Sequence, residues 1–137
     1  MADAETNRAI LRAIYDHFAA GDVDGMAQYM REDAVIIEAD SLPYGGVYRG
    51  PEGLKQLLGK ISEIWEDVSL DIQDILASDH AAAGYGELRM TVPHTGERIR
   101  FQICEVWQFE DGKITRCEPM YFDTARCIAA LNACEAR

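Results

Sequence analysis

Ile99, Phe101, Ile103, Glu105, Trp107 and Phe109 fall at every second position of one stretch of the chain. Residues two apart on a β-strand share a face, so these six form one row. Five are apolar, and the sixth, Glu105, is an acid in their midst. A carboxylate in such a row costs several kcal/mol unless it is paired, hydrated or protonated. Either Arg89, Arg98 or Arg100 pairs with it as a structural ion pair, or it looks into a pocket as an acid of raised pKa or a ligand contact. Glu38 is a second candidate, directly after Val35, Ile36 and Ile37. It reads either as a solvated strand end or as a pocket acid. Asp40 lies two residues on, on the same face, as an alternative functional acid or the start of a loop. Two carboxyl groups on apolar walls suit proton transfer, one taking a proton and the other giving one.

Other chemistries find less support. Four cysteines lie at 104, 117, 127 and 134 with no Cys-x-x-Cys pair, and His17, His80 and His94 are scattered. No metal site is expected from them, nor a cofactor, and free thiols in a reducing cytoplasm are. Cys117 has no histidine near it and reads as a small packing residue rather than a nucleophile. No Gly-rich phosphate loop or nucleophile elbow occurs. The net charge of -11 argues against nucleic acid. No apolar run is long enough for a membrane span, and the acidic N-terminus does not read as a secretory signal. The 137 residues, 48% of them hydrophobic, suit one domain with a real core.

The elements that hold these side chains follow from periodicity. Residues 4–20 read as an amphipathic helix with Ile10, Leu11, Ile14 and Phe18 as its buried stripe. Gly21 ends it, and Asp22 caps a short second helix, about 23–30. Residues 34–40 form a short strand. Residues 41–50, with Pro43, Gly45, Gly46 and Gly50, form a loop whose Tyr44 and Tyr48 either cover a cavity entrance or pack at the surface. Pro51 opens a third helix, with Leu54, Leu57, Leu58, Ile61, Ile64 and Trp65 on its apolar face.

The period then changes to two. Val68, Leu70 and Ile72 alternate, residues 82–92 follow as a strand, and a long hairpin runs from Glu97 through the turn at Asp111-Gly112 to Phe122. Thr115, Cys117, Pro119, Tyr121 and Asp123 share one face of its second strand, a mixed row that suits a ligand wall. Asp123 caps a short final helix, about 124–133, and shares the Tyr121 side near the expected cavity mouth; the two roles can coexist. Helices gathered before antiparallel strands mean an α+β fold, with helices on one face of a curved sheet and a conical cavity between.

This order of elements resembles the NTF2-like superfamily, in particular its SnoaL-like and ketosteroid-isomerase-like branch. The strings that carry the resemblance are Phe18-Ala-Ala-Gly-Asp22, Ala34-Val-Ile-Ile-Glu38, Tyr48-Arg-Gly-Pro-Glu-Gly53, Trp107-Gln-Phe-Glu-Asp-Gly-Lys-Ile114 and Tyr121-Phe-Asp123. The resemblance implies an α+β cone over residues 1–137, a curved antiparallel sheet wrapped around N-terminal helices with an internal cavity. It implies a homodimer through the outer sheet face, where Cys104 and Val106 add apolar surface, and a small hydrophobic molecule as the partner.

Position by position, Glu38 matches the isomerase base, and Glu105, two residues before the pocket aromatic Trp107, matches the acid that hydrogen-bonds the enolate. Tyr15, Phe18, Leu58, Phe101, Ile103, Cys117 and Tyr121 are expected around them, with Asp40 and Asp123 as further acids. The isomerase tyrosine of the first helix is matched by Ile14, with Tyr15 next to it and turned about 100° around the helix. A supporting tyrosine of the third helix is matched by Leu58, so the oxyanion site is incomplete. The acid motif of many SnoaL-like cyclases is missing from the last strand, where Asp123 is the nearest acid. The superfamily holds isomerases, cyclases, dehydratases, epoxide hydrolases and binding modules. The expectation is a cofactor-free proton-transfer enzyme acting on a small hydrophobic carbonyl compound, or else a non-catalytic ligand-binding or dimerisation module.

Overall fold

The computed structural model of the chain describes residues 3–133. Helix α1 spans Ala4–Ala19, α2 Val23–Ala27 and α3 Gly50–Ile64, with a last helix α4 at Thr124–Asn132. The strands are β1 Met30–Glu38, β2 Gly46–Arg49, β3 Glu66–Ala77, β4 Ala81–Thr91, β5 Arg98–Glu110 and β6 Lys113–Tyr121. They form one mixed sheet in the order β2-β1-β6-β5-β4-β3. It curves around the helices as the α+β cone that the resemblance implies. Cys134 lies outside the described residues.

Local sequence explains the helices. The Asp3 carboxylate accepts the Thr6 N–H at 2.9 Å and starts α1. Gly21, at φ +72°, reverses the chain after it. The buried residues of α1 are Asn7, Leu11, Ile14 and Tyr15. The stripe is thus rotated from the expected one, Ile10 giving way to Asn7, whose Nδ2 donates to the Ser78 carbonyl at 3.0 Å. Helix α2 stops at Ala27 rather than near residue 30, because Met30 already belongs to β1. Helix α3 carries Pro51 in its first turn and buries Leu54 and Leu57.

Two features of the sheet depart from expectation. The loop over residues 41–50 contains a strand, β2, antiparallel to β1. Strand β1 in turn runs parallel to β6, pairing Ile36 with Cys117. Antiparallel pairing holds everywhere from β3 to β6, and β4 opposes β5 without a break from Ala81–Gln108 to Thr91–Arg98. The core lies between α1, α3 and the concave face, with Leu11, Ile14, Ile36, Trp65 and Met90 fully buried.

Candidate active site

The concave face of the sheet and helices α1, α2 and α3 enclose a cavity of about 300 Å3. Leu54 and Leu57 of α3, Leu88 and Met90 of β4 and Ile103 of β5 make its walls apolar, and among the described residues no Lys, Arg or His lines it. Gly21 and Ser62 among its lining residues are exposed and mark its mouth. Glu38 and Glu105 both face into it.

The sheet brings the two acids together. Pro119 opposes Glu105 across the β5–β6 ladder. The β1–β6 register at Ile36–Cys117, carried on by two residues, sets Glu38 on the other side of Pro119. The acids are therefore two strand spacings apart, about 10 Å between Cα atoms, on the concave side. Pro119 lacks an N–H, and it lies beyond the last β1–β6 rung, where none is needed.

The two environments differ. Tyr15 Oη donates to Glu105 Oε1 at 2.8 Å and accepts from Trp107 Nε1–H at 3.2 Å. Tyr15 and Trp107 meet edge to face, with ring centroids 6.3 Å apart. Glu38 is 3% exposed, and its Oε1 is buried without a hydrogen-bond partner among the described residues. Burial, and then the Glu105 charge, push the Glu38 carboxyl up to about 8. Burial pushes Glu105 up to about 7, against the lowering effect of the Tyr15 bond. Both carboxyl groups are thus held toward the neutral form, Glu38 more than Glu105. Glu105 is only half-buried by surface, and the open part faces the cavity.

Among the described residues no arginine pairs with Glu105. Arg89 pairs with Glu87 and Asp71, and Arg98 reaches Asp67. Tyr15 places a phenol at the cavity, next to the position matched by Ile14, and that phenol is bound to Glu105. Ile14 is buried in the core and Tyr15 turns into the cavity, so the helix presents its tyrosine one residue further on.

Phe18, Leu58, Ile103, Trp107, Cys117 and Tyr121 line the cavity with the two acids. Burial, followed by the Glu105 and Glu38 charges, pushes the Cys117 thiol well up, so it is no ready nucleophile. Three expected residues lie elsewhere. Asp40 is exposed beyond the end of β1, where the chain turns toward β2. Phe101 is buried against Tyr121, ring centroids 5.4 Å apart, and is not among the residues that line the cavity. Asp123 caps α4 by accepting the Arg126 N–H at 3.1 Å. Tyr44 and Tyr48 neither cover an entrance nor lie at the surface; both are buried. Tyr44 Oη lies 2.7 Å from Tyr121 Oη and accepts from Trp65 Nε1–H at 3.2 Å, while Tyr48 Oη donates to the Tyr44 carbonyl at 2.7 Å. Among the described residues no group of three His, Cys, Asp or Glu is arranged to hold a metal ion.

Gly84 is a site residue that the sequence reading missed. It opposes Glu105 in the β4–β5 ladder. A Cβ there would stand 2.1 Å from the Tyr15 hydroxyl, so the missing side chain is the seat of that phenol. A glycine between Ala83 and Tyr85 inside a strand was the available signal, since such glycines mark close approaches.

Comparison with known proteins agrees with this architecture. The sequence profile of the SnoaL-like domain matches residues 11–117. None of the curated proteins compared with the chain matches it. Among solved structures, an NTF2-like protein of unknown function from Burkholderia pseudomallei superposes with a TM-score of 0.86 at 23% identity, over 93% of this chain and 98% of that one. TerC, co-crystallised with polyporic acid, gives 0.84 at 20% identity, over 93% and 99%. A protein with a ketosteroid isomerase-like fold from Catenulispora acidiphila, in complex with trimethylamine, gives 0.72 at 11% identity, over 82% and 84%. At these identities the likeness is one of fold.

Proposed function

The chain belongs to the SnoaL-like family, and from that premise we propose that its cavity catalyses cofactor-free proton transfer on a small, uncharged, apolar carbonyl compound, as an isomerase or cyclase. One observation carries the reading: Glu38 and Glu105 face one apolar cavity, and among the described residues neither is paired with a cation. Holding two such acids in an apolar wall destabilises the fold, and the arrangement supplies a proton acceptor and a proton donor at neutral pH. The cavity volume suits a compound of one to three rings. Anions are disfavoured because the lining carries acids and no bases. Fold neighbours crystallised with small organic molecules support occupancy of such a cone.

A second copy of the chain is the proposed protein partner. The outer sheet face carries Tyr85, Cys104, Val106 and Met120, with Tyr85 paired to Cys104 and Cys104 to Met120 across three strands. Tyr85 is 41% and Met120 50% exposed, an apolar patch with the character of an interface.

The test of the catalytic reading is hydrogen–deuterium exchange at the α-carbon of 2-tetralone in deuterated buffer, followed by proton NMR. Wild-type protein is expected to speed exchange, and Glu38→Gln and Glu105→Gln each to abolish most of that gain. Exchange no faster than with buffer, or equal in all three proteins, rejects catalysis and leaves a binding or dimerisation module.

A further inference from the structure

The proton-transfer reading leaves open which acid is the base, and hydrogen-bond direction bears on it. An indole N–H only donates, so the Tyr44 hydroxyl accepts from Trp65. Tyr44 is buried, and its other hydroxyl neighbour is Tyr121. A buried O–H left unpaired is costly, so the Tyr44 proton goes to the Tyr121 oxygen. Tyr121 therefore keeps its own proton for another acceptor. No protein acceptor for it lies within hydrogen-bond reach among the described residues, and Tyr121 lines the cavity. It sits two residues beyond Pro119 on β6, the strand between the two acids, and the Glu38 charge acts on its hydroxyl more strongly than the Glu105 charge does.

Around Glu105 the direction is opposite. Trp107 donates to Tyr15, and Tyr15 donates to Glu105. That chain stabilises a carboxylate at Glu105, whereas among the described residues no donor reaches the buried Glu38 Oε1. One indole–phenol chain ends by feeding an acceptor, and the other ends by presenting a donor.

We infer that Glu105 is the base, and that Glu38 as its neutral acid together with Tyr121 forms the oxyanion site, with Tyr44 and Trp65 as positioning residues. This reverses the roles that the family resemblance implies for the two acids, and it rests on the proton-transfer reading. In the reaction, the Glu105 carboxylate takes a proton from the carbon next to the carbonyl. The C–H electron pair becomes the new C=C bond, and the carbonyl π pair moves to oxygen. That oxygen accepts hydrogen bonds from Glu38 and Tyr121. Return of the proton from Glu105 to a carbon of the enolate restores the enzyme. The raised Glu38 pKa, due to burial and then to the Glu105 charge, agrees with a proton kept there. The ligand class is sharpened too: its carbonyl lies on the Glu38–Tyr121 side and its acidic carbon toward Glu105.

The test uses 2,2-dimethylindan-1-one, a ketone that cannot enolise, bound to the full chain. In wild-type protein its carbonyl stretch is expected at lower frequency than in an apolar solvent. Tyr121→Phe should remove much of that shift and weaken binding about five-fold, the effect of one neutral hydrogen bond. Tyr15→Phe should keep the shift. A shift lost in Tyr15→Phe and kept in Tyr121→Phe overturns the assignment but leaves proton transfer by this pair standing. No binding of the ketone to wild-type protein overturns both. Should Tyr121→Phe fail to fold, carbon-13 titration of the carboxyl groups in wild-type protein decides. A Glu38 resonance titrating above that of Glu105 supports the inference, and the opposite order overturns it.

Discussion

Replacing Glu38 by Gln removes a carboxyl group that the fold holds at a cost, so the substitution should stabilise the protein in alkaline solution. The group's pKa is raised from 4.5 to about 8 by burial and then by the Glu105 charge. Below pH 4.5 folded and unfolded chains both carry the proton, and the group contributes nothing. Between 4.5 and about 8 the unfolded chain has released a proton that the folded chain retains, so stability falls as pH rises. Above pH 8 the folded chain carries the buried charge, and the full loss is reached. The rise in pKa corresponds to roughly 4–5 kcal/mol, a ceiling that water entering the cavity lowers. Gln is nearly isosteric with the neutral acid, and it leaves much the same buried polar group in the same place. Urea unfolding of both proteins at pH 5, 7 and 9 should give near equality at pH 5. The Gln variant should gain progressively to several kcal/mol at pH 9. A Gln variant less stable than wild type at pH 9 would refute the reasoning, since it would mean that the Glu38 carboxylate is stabilised by water or a partner.

Tyr15→Phe removes the one hydrogen bond that lowers the Glu105 pKa, so that carboxyl should titrate above about 7, as read by carbon-13 NMR. The same substitution orphans the Trp107 indole N–H and should cost about 1–3 kcal/mol of stability in urea. Gly84→Ala places a methyl group on the Tyr15 hydroxyl; the ring must move, with a loss of about 1–3 kcal/mol in denaturant unfolding and a rise in the Glu105 pKa like that of Tyr15→Phe. If the proposed dimer uses the outer sheet face, wild-type protein should sediment as a dimer at micromolar concentration and Met120→Glu as a monomer; a monomeric wild type, or an unchanged sedimentation coefficient in the variant, would remove that face as the interface.

The architecture was readable where periodicity is strong. The alternation from Ile99 to Phe109 located the long hairpin, and the heptad-like spacing of Leu54, Leu57 and Ile61 located α3. Pairing between distant segments was not readable, since nothing in residues 30–38 announces a parallel neighbour such as Cys117 opposite Ile36. Asn7 was missed as a core residue because its burial depends on the Ser78 carbonyl at the far turn of the sheet. Glu105 stood out because an acid in an apolar row violates the binary pattern, and such violations mark sites. The phenols were harder. Tyr15 and Tyr44 act through hydroxyl groups whose partners, Glu105 and Tyr121, come from 90 and 77 residues away. Gly84 shows how a site residue can be conspicuous in type yet silent in role, because its contribution is the space it leaves.

The parallel pairing of β1 with β6 also bears on time. Glu38 is among the first residues of the sheet to leave a ribosome, and the strand it docks against, Lys113–Tyr121, is nearly the last. Until β6 arrives, β1 has only the short β2 for a neighbour, and Glu38 stays in water, ionised and comfortable. The unfavourable carboxyl pair therefore depends on one long-range closure, that of β1 on β6. Such long-range closures are slow. The meander β3 to β6 joins only strands that follow one another in sequence, whereas the Glu38 wall of the cavity exists only once the distant β1 has docked on β6.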